Sequence, residues 1–205
     1  AFYTEPFGEY IEKLSKLTGF ESILPMNTGA EAVETAIKAA RRWGYFTKGI
    51  EENSAEIIVA DGNFHGRTTT IVGFSSEADY KKGFGPFADG FVQADYCNTN
   101  CDCSKICEKS IQSIKNSINN NTCAVLVEPI QGEAGIITPQ DGWLRQLRDL
   151  CDDNNVLLIL DEIQSGLGRT GKMFAYEHEG IKPDGLILGK ALGGGLLPVS
   201  AFLSS

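Results

Sequence analysis

Val156-Leu157-Leu158-Ile159-Leu160 is an unbroken apolar run, followed at once by Asp161-Glu162. A strand with one wet face alternates apolar and polar residues. A continuous run needs both faces covered, as in a parallel sheet beneath helices. Residues 57–60, 124–127 and 186–188 repeat the pattern, a weaker run begins at Phe91-Val92, and residues 199–203 form the last. Between the runs, spacing predicts helices over 9–17, with Gly19 as the stop, over 103–118 and over 143–151. A further helix follows Asn27-Thr28-Gly29, with Val33, Ala36, Ile37 and Ala40 as its apolar stripe and Glu31 and Glu34 in the first turn, where the helix dipole favours them. Strands separated by helices predict an α/β fold with a mainly parallel sheet flanked by helices, in one unit without linker or repeat.

Composition narrows the partners. A formal charge of −9 repels phosphate backbones, so no nucleic-acid partner is expected. No apolar run approaches the roughly 18 residues of a membrane span, and no signal peptide opens the chain, so no membrane partner is expected either. The start at Ala1 reads as the interior of a domain. Cys97, Cys101, Cys103 and Cys107 are spaced C-x3-C-x-C-x3-C, which matches no common zinc or iron–sulfur spacing. With no histidine near them, no metal site is expected. They read as surface thiols kept reduced in a cytosolic or organellar matrix compartment.

Ligands of open parallel sheets bind beyond the carboxyl ends of the strands. Directly after the apolar runs stand Asn63-Phe64-His65-Gly66-Arg67, Glu128 and Glu133, Asp161-Glu162-Ile163-Gln164, and Gly189-Lys190 before Gly193-Gly194-Gly195. Each has an ordinary alternative: a surface lysine or arginine, an aspartate cap, a core phenylalanine. Together they match the needs of pyridoxal phosphate. Its aldehyde needs a lysine that can be neutral near about pH 7, which burial at a strand end favours; Lys190 fits. Its ring nitrogen needs a buried carboxylate, Asp161, and Phe64 can stack on the ring. Its phosphate needs free amides at a helix N-terminus, which Gly29 and Ala30 supply. Gly166-Leu167-Gly168-Arg169-Thr170-Gly171-Lys172-Met173 is a near-miss to a nucleotide-binding loop, lacking the hydroxyl that would hold magnesium.

These segments, in this order, resemble the class III aminotransferases of the pyridoxal-phosphate fold type I group. The likeness runs from Leu24-Pro25-Met26-Asn27-Thr28-Gly29 to Pro198-Val199-Ser200-Ala201, and Leu160-Asp161-Glu162-Ile163-Gln164-Ser165-Gly166-Leu167-Gly168-Arg169-Thr170-Gly171 is its most specific segment. Arg41-Arg42-Trp43-Gly44-Tyr45 and the stretch Val127-Glu128-Pro129-Ile130-Gln131-Gly132-Glu133 resemble the ornithine-using branch. The resemblance implies a Schiff base at Lys190, which also shuttles the proton, and Asp161 on the ring nitrogen. It implies Gln164 on the phenolic oxygen, Phe64 and Ile163 on the two ring faces, and Gly29 and Ala30 on the phosphate. Arg67 would clamp the α-carboxylate of L-ornithine. Glu133 would pair with an arginine from a C-terminal region and release it for 2-oxoglutarate. It further implies that residues 1–205 are the cofactor-binding large domain, without an N-terminal segment and C-terminal small domain, of a homodimer in the cytoplasm or mitochondrial matrix. Acetylornithine or 4-aminobutyrate aminotransferase is the near alternative; a non-catalytic truncated binding or assembly partner is the alternative from another class. The cysteine-rich stretch 96–121 departs from the family pattern and is expected to be a surface elaboration away from the chemistry, with redox regulation as a hypothesis.

Overall fold

The structure, a computed structural model, describes residues 4–97 and 105–205. Seven strands form one sheet: β1 (Ser22–Met26), β2 (Glu56–Ala60), β3 (Phe91–Ala94), β4 (Thr122–Val127), β5 (Leu157–Asp161), β6 (Gly185–Leu188) and β7 (Ser200–Ser204), in the order β1-β7-β6-β5-β4-β2-β3. The pairs from β6 through β5, β4 and β2 to β3 are parallel, whereas β7 is antiparallel to both β6 and β1. Two reversals make β1 run the same way as β6. Met26, Ala60, Val127, Asp161 and Leu188 therefore all end on one rim of the sheet.

Successive side chains point to opposite faces, and each face is covered by helices. On one face Ile58, Val125, Leu158, Leu160 and Leu186 pack with Leu14 of α1 (Glu5–Thr18), Ile114 of α5 (Lys105–Ser117) and Trp143, Leu147 and Leu150 of α6 (Trp143–Asp153). On the other, Ile57, Val59, Ala124, Leu126, Ile159 and Ile187 meet Ala32, Val33, Ala36, Ile37 and Ala40 of α2 (Gly29–Trp43), the stripe expected from the spacing. Both faces being buried is the reason these strands read as unbroken apolar runs. Two short helices, α3 (Thr69–Gly73) and α4 (Ala78–Lys81), complete the chain's helices of this type among the described residues. Gly19 closes α1 in a left-handed conformation, φ 69°, as the stop signal required. No helix among the described residues is long and apolar enough to cross a membrane.

The cysteine expectation needs correction. Cys97 and Cys107 are bridged to each other, and both are buried, as are the free Cys123 and Cys151; Cys101 and Cys103 lie outside the described residues. Nor is the described part of 96–121 a surface elaboration. The Tyr96 hydroxyl donates to the carbonyls of Glu128 and Pro129 at 2.9 and 3.1 Å, and the Trp143 indole donates to Ser110 at 3.1 Å. The segment is polar in sequence because one side of α5, with Glu108, Lys109, Gln112, Lys115 and Asn116, faces water, while Ser110 and Ile114 are buried against the fold.

Candidate active site

The rim begins with the N-terminus of α2. Glu31 accepts from the backbone N–H groups of Asn27 and Thr28 at 2.9 and 2.7 Å, and the Thr28 hydroxyl accepts from the Glu31 N–H at 3.3 Å. This capping box leaves the amides of Gly29 and Ala30, the first two of the helix, with no intrahelical partner by helix geometry. Ser200 at the start of β7 donates to the Thr28 carbonyl at 2.6 Å, locking the turn to the sheet.

Gly29 also lets the helix approach the loop after β5. A Cβ there would stand 2.7 Å from Ile163 Cδ1, and one at Gly189 would stand 3.2 Å from Ile163 Cγ2. Ile163 thus sits between two backbones that carry no side chains. Its N–H donates to Asp161 Oδ1 at 3.0 Å, and Gln164 Nε2 donates to Glu133 Oε1 at 3.3 Å.

Asp161 is buried, and its Oδ2 lies 2.7 Å from His65 Nδ1. Beside this pair is Glu128, also buried, whose Oε2 accepts from the Phe64 N–H at 3.0 Å. Burial pushes the Glu128 carboxyl up to about 7. The Asp161 charge adds to that rise, and the charge of His65 and the amides of Phe64 and Gly132 offset only part of it. On the same loop the Arg67 guanidinium lies 5.7 Å from the Phe64 ring centroid and 5.3 Å from that of Tyr80. Arg67 and Glu133 are exposed.

A cavity of about 1020 Å³ opens beside β5 and β6, and Ile163, Gln164 and Lys190 form part of its wall with Pro129, Thr138 and Ala191. The other expected residues do not form that wall: Asp161 reaches the rim at the end of β5, Gly29 and Ala30 at the start of α2, and Phe64, Arg67 and Glu133 on adjoining loops. One expectation is corrected here. Lys190 is exposed, not buried, because it leaves β6 on a helical turn followed by Gly193, Gly194 and Gly195, which have no side chains to cover it.

His65, Glu128 and Glu162 were not singled out as acting residues in the sequence. Glu162 is buried and accepts from the N–H groups of Ala175 and Tyr176 at 2.8 and 3.0 Å, holding the loop that follows. Their signal was the same as for the others: each directly follows, or lies within five residues of, a buried strand's end.

The class-III aminotransferase family matches residues 1–205, the whole chain. An ornithine aminotransferase of Staphylococcus aureus is 56% identical over 204 residues, covering 100% of this chain and 48% of that protein. The ornithine aminotransferase of Toxoplasma gondii, in a solved structure with partial occupancy of PLP at its active site, is 39% identical with a TM-score of 0.91. That alignment covers 99% of this chain and 45% of the other. An acetylornithine aminotransferase structure from Elizabethkingia anophelis is 43% identical, with a TM-score of 0.79, covering 100% of this chain and 44% of that one. The chain spans about half the length of the relatives it matches.

Proposed function

The chain belongs to the class-III aminotransferases, and on that premise we propose that the protein carrying it transfers the δ-amino group of L-ornithine to 2-oxoglutarate. The products are glutamate 5-semialdehyde and glutamate, and the cofactor is pyridoxal phosphate. One observation carries the reading: free helix amides, a pinned carboxylate, an amide side chain and a lysine converge on one rim beside a cavity. The residues present fit the cofactor, since Gly29 and Gly189 seat Ile163 at the rim where it can flank a ring and the open amides of α2 suit a phosphate.

When bound, pyridoxal phosphate supplies the electron sink and carries the amino group. In this reading Gly29 and Ala30 donate their N–H groups to the phosphate, and Asp161 holds the proton of the ring nitrogen. Phe64 and Ile163 flank the ring, and the Gln164 amide binds the phenolic oxygen. Lys190 provides the amine of covalent attachment, and its Nζ takes a proton from the substrate carbon and returns it to the cofactor side. Arg67 binds the α-carboxylate of ornithine, its guanidinium oriented by Phe64 and Tyr80. Glu133, held here by Gln164, is the acid that pairs with an arginine from outside this chain and releases it for 2-oxoglutarate.

We further propose that residues 1–205 form the cofactor-binding large domain, that an N-terminal segment and a small domain complete it, and that the protein is a homodimer. Relatives of about twice the length support the further segments, and the bacterial ones support a cytoplasmic setting over the mitochondrial matrix. The test has two arms in the protein that carries this chain. Borohydride reduction with pyridoxal phosphate, then peptide mapping, is expected to label Lys190 alone; scattered labelling overturns the site. Semialdehyde release is expected from ornithine with 2-oxoglutarate. Release from acetylornithine alone would establish the second reading, which the likeness to the Elizabethkingia enzyme supports.

A further inference from the structure

We infer that His65 is the positioning residue that fixes the Asp161 carboxylate in place, an inference that rests on the cofactor reading of Asp161. The His65 side chain is fully buried and Asp161 is 4% exposed. One carboxylate oxygen, Oδ2, faces His65 Nδ1 at 2.7 Å, and the other, Oδ1, accepts the Ile163 N–H at 3.0 Å. In the cofactor reading the Asp161 carboxylate accepts at both oxygens, which assigns the proton of this contact to Nδ1. Two loops, one after β2 and one after β5, thus grip the two oxygens, and the carboxylate cannot turn without losing a buried bond.

His65 Nε2 is buried and has no hydrogen-bond partner among the described residues. A buried polar atom left unpaired costs stability, and a phenylalanine would fill the same space without that cost. The imidazole's value therefore lies in its bond to Asp161. The surroundings favour its charged form. Burial alone would strip the proton from His65, but the bond and charge of Asp161 and the charge of Glu128 raise its proton affinity above the ordinary histidine value. Glu128 also holds the Phe64 N–H, the residue before His65, which ties this loop to the end of β4. The ring also lies beside Phe74, centroids 6.1 Å apart, which adds no charge. A carboxylate held in one orientation is what a protonated ring nitrogen requires.

The experiment compares wild type, His65→Phe and His65→Asn in the protein that carries this chain. An asparagine amide keeps a donor near the Nδ1 position; phenylalanine does not. The readouts are the dissociation constant for pyridoxal phosphate, the pH titration of the bound cofactor's absorbance, and the melting temperature of the apo form. His65→Phe is expected to weaken cofactor binding about 10- to 100-fold and to shift the absorbance titration, and His65→Asn to restore most of both. Wild-type binding and titration in His65→Phe would overturn the role. So would an asparagine variant no better than phenylalanine while melting like wild type. If the phenylalanine variant does not fold, nitrogen-15 NMR of His65 in the wild type decides: a protonated Nδ1 is expected, and an unprotonated Nδ1 overturns the assignment. A wild type that binds no cofactor at Lys190 would instead sink the reading of the site, and is distinguished by the borohydride label.

Discussion

Lys190 occupies backbone that residues with a side chain rarely adopt, φ 41°, immediately after a buried strand. Such strain costs on the order of 1–3 kcal/mol and persists only where the surroundings enforce it. Here the buried strand β6 and the helical turn of residues 190–193 do so. Lys190→Ala is expected to abolish the borohydride-stable label and to lower ornithine turnover by about 10³-fold or more, as loss of both attachment and proton transfer requires. Turnover within tenfold of wild type would refute the assignment. Gly29→Ala separates fold from site. The added methyl meets the end of the Ile163 side chain, so stability should fall only modestly, by about 1 kcal/mol, read as a small drop in melting temperature. Ile163 is instead displaced from its seat, and cofactor affinity should fall about tenfold. The double change with Ile163→Val should recover part of that loss, which a titration monitored by cofactor fluorescence would read.

At the scale of elements, α2 matters most, because it both covers one face of the sheet and presents the amides of Gly29 and Ala30. Its capping box is assembled from residues next to each other in sequence, Thr28 and Glu31. Thr28→Ala removes the hydroxyl that accepts the Glu31 N–H, and is expected to cost about 1 kcal/mol. For a chain of this size that is a fall of roughly 2–4 °C in melting temperature, measurable by calorimetry. An unchanged melting temperature would mean that the tie from Ser200 to the Thr28 carbonyl holds the turn without the cap. β1 belongs to the same region. It is an edge strand, and Pro25 within it has no N–H to give, which an edge position tolerates.

For the whole molecule, the buried carboxyls Glu128 and Glu162 set a pH dependence. Burial raises both from 4.5 to about 7. The folded state therefore binds more protons than the unfolded state between those values. Their contribution to stability is fully present below about pH 4.5 and is lost as pH rises through about 7. A shift from 4.5 to about 7 corresponds to on the order of 3 kcal/mol for each group. His65, also raised, acts with the same sign. Urea midpoints are expected to fall between pH 5 and pH 8, and Glu128→Gln to flatten that slope relative to wild type. A slope unaffected by Glu128→Gln would show that the carboxyl is ionised across this range.

The sequence by itself determined the strands buried on both faces and the residues that follow them. Those are local facts: an apolar run longer than a turn must be covered, and whatever comes next emerges at the rim. Val156 to Leu160 located Asp161, and Asn27-Thr28-Gly29 directly before a helix located Gly29 and Ala30. The two short helices and β1 were not legible, because four or five residues are too few to show a period and Leu24 is left 54% exposed. Only the tertiary structure decided that β7 runs antiparallel, that Cys97 pairs with Cys107, and that Lys190 is exposed. It alone brought His65 to Asp161 across 96 positions of chain. Register, pairing and desolvation depend on what arrives through space, and a residue's neighbours along the chain do not record it.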